Sequence, residues 1–100
     1  MKESVIRKKA LEVLNSEGWI CWYPFHIRYK KEVDIFGVFD ILAFRKLDGE
    51  FLFIQITTLS NIRAREKKVK TFYQKNGIKK FPGEVWGYDK KKKYFKIIKV

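Results

Sequence analysis

Apolar residues at Ile6, Ala10, Val13 and Leu14 recur at i, i+4, i+7 and i+8, the spacing of one helical face. With Ser4 as N-cap and Gly18 as stop, the pattern predicts a first helix over residues 3–17. The run WICWY, residues 19–23, is rich in strand formers and closes at Pro24, which suits a strand end or a sheet edge. Residues 25–37 mix basic side chains with Asp34 and a glycine, and read as a loop or a ragged strand extension. Two apolar runs then flank Asp48-Gly49 in VFDILAFRKLDGEFLFIQITT, residues 38–58. Asp-Gly between such runs is a strong hairpin signal. Beyond it, Ile62, Val69, Phe72 and Tyr73 share a face of a second helix, with Ser60 as cap and Asn76-Gly77 as stop. Phe81-Pro82-Gly83 is a turn, and residues 84–88 and 94–100 form two last strands joined through DKKKK.

The order α-β-β-β-α-β-β describes one domain over residues 1–100 of the α/β (α+β) class. Within it the hairpin makes a geometric prediction. A two-residue loop, Asp48-Gly49, sets Phe44 opposite Phe53, Leu42 opposite Gln55 and Asp40 opposite Thr57. Side chains alternate between faces, so these six share one side of the sheet. Phe39, Ile41, Ala43, Leu52, Ile54 and Ile56 take the other side and form pure core. Asp40, Gln55 and Thr57 thus converge, with opposite Cβ atoms roughly 5 Å apart. An acid, an amide and a hydroxyl on one strand face are either a structural hydrogen-bonded trio or a reactive polar site.

Charge favours the second. Twenty-three Lys and Arg against eleven Asp and Glu give +12, a surplus most simply explained by a polyanionic partner, with nucleic acid foremost. The face of helix 2 that carries Arg63, Arg65, Lys67 and Lys68, and the tip Lys90, Lys91, Lys92 and Lys93, are the candidate phosphate contacts; solvation alone also explains such runs. Cys21 is the single cysteine, which excludes an internal disulfide and a cysteine-based zinc site, and His26 is the single histidine. No apolar run reaches the roughly 18 to 20 residues of a membrane span. The charged N-terminus lacks a signal-peptide core, so the expected setting is cytoplasmic, intracellular and reducing.

Asp40 within FDILAF and Gln55-Ile56-Thr57 within FLFIQITT, set in this order of elements, resemble the PD-(D/E)XK nuclease superfamily, to which junction resolvases and many restriction nucleases belong. The resemblance covers roughly residues 3–88 and rests on short motifs. It implies an α-β-β-β-α-β restriction-endonuclease-like core, a central mixed sheet flanked by two helices, with a C-terminal hairpin added. It implies Mg²⁺ or Mn²⁺ held by Asp40, Gln55 and the backbone carbonyl of Ile56, and hydrolysis of DNA phosphodiester bonds, structured or branched DNA included. Helix-1 acids serve in many members, which points to Glu3 rather than Glu12; Asp34 reads better as a loop residue. Two departures matter. Gln55 removes a negative charge, and Thr57 stands where the motif has Lys, so a cation from Arg63, Arg65, Lys67 or Lys68 must replace it or catalysis is lost. Expected partners are nucleic acid, DNA rather than RNA, no membrane, and a second copy in a homodimer. A catalytically inactive nucleic-acid or partner-subunit binder and a basic protein-interaction module are the competing readings.

Overall fold

The computed structural model describes residues 2–24 and 34–100; His26 and most of the stretch expected as loop or ragged strand lie outside them. Its order is helix α1 (Glu3–Ser16), strands β1 (Trp19–Trp22), β2 (Ile41–Arg45) and β3 (Phe51–Thr58), a 3-10 turn (Leu59–Asn61), helix α2 (Ile62–Lys75), and strands β4 (Gly83–Asp89) and β5 (Tyr94–Lys99). The strands form one mixed sheet in the order β1-β2-β3-β4-β5. Only the β3–β4 pair is parallel, because α2 carries the chain back across the sheet between them. Both helices and all five strands thus occur where the hydrophobic pattern places them.

Each helix covers one face. Ile6, Ala10 and Leu14 of α1 pack on Ile41, Ala43, Ile54, Ile56, Trp86 and Tyr88. On the other face Ile62 and Val69 of α2 meet Val85, Val38 and Phe39, with Phe53, Phe72 and Phe81 packed around them. The caps differ from expectation. Ser4 lies inside α1, whose N-cap position is Lys2, and Ser60 lies in the 3-10 turn, where its hydroxyl meets that of Thr58 at 3.1 Å. Neither helix has a side-chain hydrogen bond at its N-cap, whereas at the C-cap of α2 Asn76 Nδ2 donates to Phe72 O at 2.9 Å. Among the described residues no helix is long and apolar enough to cross a membrane.

The hairpin register is shifted by two residues. Phe44 pairs with Phe51, Leu42 with Phe53 and Ile41 with Ile54. The loop is therefore Lys46, Leu47, Asp48 and Gly49, closed by Arg45 N–H to Glu50 O and Gly49 N–H to Arg45 O, both 2.9 Å. A two-residue loop needs positive φ at Asp48 as well as at Gly49. The longer loop needs it only at Gly49, φ +74°, and frees the Asp48 carboxylate to accept from the Arg45 guanidinium at 2.9 Å and the Glu50 N–H at 3.2 Å. It also moves Phe53 away from Phe44 and into the second core, 4.8 Å from the Phe81 ring. A one-residue slip would turn every side chain over; a shift of two keeps the faces intact. Phe39 departs from the expected side. The ladder starts at Ile41, the chain bends at Asp40, and Phe39 joins the α2 cluster instead of the α1 cluster.

Close approach of α2 to β4 depends on Gly87. A Cβ there would sit 2.8 Å from Cδ1 and 3.2 Å from Cβ of Ile62. Gly87→Ala should therefore lower stability by about 1–3 kcal/mol, the range for overpacking. Adding Ile62→Ala, itself a core truncation, should cost less than the sum of the two single losses, since the Cδ1 clash is removed while the Cβ contact remains. Urea melts of the single and double variants give the comparison, and fully additive losses would refute the contact.

Candidate functional site

Where β2 ends and β3 continues, the backbone of β3 needs a new partner. Asp40 supplies it. Its own N–H still donates to Ile54 O at 2.7 Å, and its Oδ2 accepts from the Ile56 N–H at 2.8 Å. The same oxygen accepts from Gln55 Nε2 at 2.7 Å. Asp40 is therefore beside Gln55, not opposite Thr57 as the two-residue loop requires. All three side chains are nonetheless buried, at 5%, 3% and 7% exposure for Asp40, Gln55 and Thr57.

They line a pocket of about 280 Å³ together with Glu3, Asp34 and Arg65. Glu3 arrives from the first turn of α1, as its position on the wheel predicts. Asp34 is the residue that sequence reasoning set aside. A tight turn at Phe36-Gly37 folds the chain back so that Ile35 bridges Phe39, which brings Asp34 alongside Asp40. Both central residues have positive φ, 56° and 71°, and Val38 N–H closes the turn on Ile35 O at 3.0 Å. Asn-Gly at this place would announce such a turn; Phe-Gly hides it, because a bulky residue rarely takes left-handed backbone.

Of the four helix cations considered as replacements for a strand lysine, Arg65 reaches the pocket. Lys68 stands at its margin, 3.9 Å from Asp34. Arg63 turns to Glu66 at 3.0 Å and is largely exposed, and Lys67 is exposed on the helix surface. Lys90, Lys91, Lys92 and Lys93 are all exposed at the β4–β5 tip. The first three line a neighbouring cleft that shares Ile6 and Thr58 with the pocket. The carbonyl of Ile56 accepts weakly from Gln55 Nε2, at 3.3 Å.

Two features of the pocket stand out electrostatically. Gln55 Oε1 is buried with no hydrogen-bond partner. A buried, orphaned acceptor costs about 1–3 kcal/mol, so the site is under-satisfied as it stands. Asp40 is the second. Burial, then the Glu3 carboxyl within hydrogen-bonding reach and the fields of Glu3 and Asp34, push its carboxyl up to about 8, against the Ile56 N–H that holds it down. Among the described residues no three His, Cys, Asp or Glu side chains are grouped so as to hold a metal by themselves. Comparison with known proteins returns no matching family model, no matching curated protein and no matching solved structure.

The Asp40 carboxyl makes stability depend on pH. Unfolded, it titrates near 3.8; folded, near 8. Between those values the folded chain keeps a proton that the unfolded chain has lost, so stability is full below the lower value and falls as pH rises through the upper one. Urea melts from pH 5 to 8 should show wild type losing stability with rising pH, at a steepest slope on the order of 1 kcal/mol per unit. Asp40→Asn should flatten that slope. Parallel profiles for the two chains would refute the assignment.

Proposed function

We propose that this chain is a metal-dependent, nuclease-like hydrolase of DNA phosphodiester bonds, working at the Asp40 pocket. The observation that carries the reading is the buried Gln55 Oε1 without a partner, set among three carboxyl groups. The donors are all hard oxygens, which fits Mg²⁺ or Mn²⁺. Asp40 and Gln55 would hold the ion, with Glu3, Asp34 and the Ile56 carbonyl as the further oxygens available. Mg²⁺ is held by one or two carboxylates and keeps several waters, so Asp40 with one further oxygen would meet its need. When bound, such an ion lowers the pKa of a water and offsets charge developing on the phosphate.

The chain's own residues divide the remaining work. Arg65 presents a guanidinium to the pocket and can donate to non-bridging phosphate oxygens, with a geometry suited to paired hydrogen bonds. It takes the role that Thr57 cannot, since a hydroxyl carries no charge. Lys68 neutralises Asp34 at the rim, and Lys90, Lys91 and Lys92 flank the next cleft, where a DNA backbone leaving the pocket would run. The net charge of +12 draws a polyanion to this surface. The setting that goes with this reading is intracellular, where DNA and Mg²⁺ occur together.

A second reading has its own observation. Both hydrogen bonds to Asp40 Oδ2 serve the strand end, so Asp40 is also accounted for in a catalytically inactive chain that binds nucleic acid through its basic face. One assay separates the two. Single-stranded, duplex and branched DNA are incubated with the protein in Mg²⁺ or Mn²⁺, beside Asp40→Asn and Arg65→Ala. Cleavage by wild type that drops at least about 100-fold in either variant supports the hydrolase. Shifted but uncut DNA for all three proteins refutes it and leaves the binder. No shift at physiological salt refutes both. For bound duplex, the slope of log affinity against log salt counts neutralised phosphates at about 0.9 each.

A further inference from the structure

Phe36 is an anomaly that the pocket does not use. Among the described residues it is one of two non-glycine positions with positive φ, the other being Lys93, and it is 63% exposed. A phenylalanine held in left-handed backbone is strained, and Asn or Gly would fit the turn better. Its ring is not loose. One side rests on Phe72, near-parallel at 17° with centroids 6.1 Å apart, and on Phe53 at 6.0 Å. The strained turn thus mounts a flat aromatic surface outward on a rigid aromatic base.

Its place relative to the pocket follows from α2. Arg65 lines the pocket, Lys68 reaches Asp34, and Phe72 carries the Phe36 ring. These positions lie at i, i+3 and i+7 on one helix face, so the ring stands roughly 10 Å along the axis from Arg65. Two cations followed by an exposed ring is the combination by which proteins hold a single strand: phosphates on the cations, a base on the ring. We propose that Phe36 is a stacking platform for an unpaired base next to the pocket, which makes the substrate class DNA with an unstacked nucleotide beside the contacted phosphate. This rests on the nucleic-acid reading of the pocket. A base inside an intact duplex is stacked on both sides and offers no face to the ring, so duplex binding does not use Phe36.

The test measures binding of the full chain in EDTA, where metal-dependent cleavage is silent. The probes are a single-stranded oligonucleotide, the same strand with abasic positions, and a duplex. Phe36→Asn should bind the base-bearing strand about 5- to 100-fold more weakly than wild type, the range for losing one stacked base. Abasic strand and duplex should bind both proteins alike, Phe36→Trp should retain wild-type affinity, and Phe36→Asn should melt at or above the wild-type temperature because the backbone strain is relieved. Equal affinity of wild type and Phe36→Asn for the base-bearing strand overturns the stacking role while leaving the nuclease reading in place. An equal loss for all three probes overturns it too, since the ring would then act on fold or phosphate contacts. Failure of wild type to bind any probe removes both readings together.

Discussion

One oxygen holds the site end of this sheet together. Asp40 Oδ2 accepts from the Ile56 N–H and from Gln55 Nε2, at 2.8 and 2.7 Å, where the β2 ladder has stopped and β3 runs on. Without it, a backbone N–H and an amide N–H would be buried with no acceptor, each at about 1–3 kcal/mol. The carboxylate acts as a substitute strand. That task binds Asp40 to its position whatever else it does, and its carboxyl stays within hydrogen-bonding reach of Glu3 at the pocket. Burial among acids then makes the protonated form favourable near neutral pH. The fold thus places an ionisable group where its charge is poorly tolerated, and the acids of the pocket add to that cost.

Legibility of this arrangement divides along the chain. Element order, the two helices and the polar-over-apolar split of the central hairpin are carried by periodicity, since Ile41, Ala43, Ile54 and Ile56 can only be core if Asp40 and Gln55 are not on their side. The loop is two residues longer than Asp-Gly announces because Asp48 pairs with Arg45 rather than entering left-handed backbone, and a local ion pair leaves no periodic trace. The faces survive that error only because the slip is even. Phe39 illustrates the opposite limit: alternation predicts its side correctly only while the strand is a strand, and the bend at Asp40 ends it.

Asp34 and Arg65 lay beyond the reach of pattern for a different reason. Asp34 enters the pocket through a turn whose first central residue is Phe36, against the ordinary turn preference. Arg65 does so because α2 sits low on β4, over Gly87, where any side chain would push Ile62 and the helix outward. In both cases a backbone feature selects which of several similar side chains becomes part of the site. Among Arg63, Arg65, Lys67 and Lys68 composition offers no distinction; the helix rotation fixed by Ile62 and Val69 does.

These constraints set the charge logic of the pocket. Glu3, Asp34 and Asp40 line the same pocket as Arg65, and Lys68 offsets Asp34 from the rim. Holding a proton on Asp40 brings the pocket near neutrality, which is the state burial favours. A phosphate entering such a pocket would add negative charge against two carboxylates, and Arg65 alone does not reverse that balance. On the nucleic-acid proposal, the basic surface outside would draw a polyanion toward a pocket whose carboxylates oppose it. On the hydrolase proposal, a divalent cation held by Asp40 and Gln55 would relieve that conflict by taking the place of the Asp40 proton and giving Gln55 Oε1 a partner, and cation and phosphate binding would then be coupled through electrostatics. Without a cation, phosphates would stay outside the pocket, on the rim cation Lys68 and along the Lys90 to Lys92 cleft.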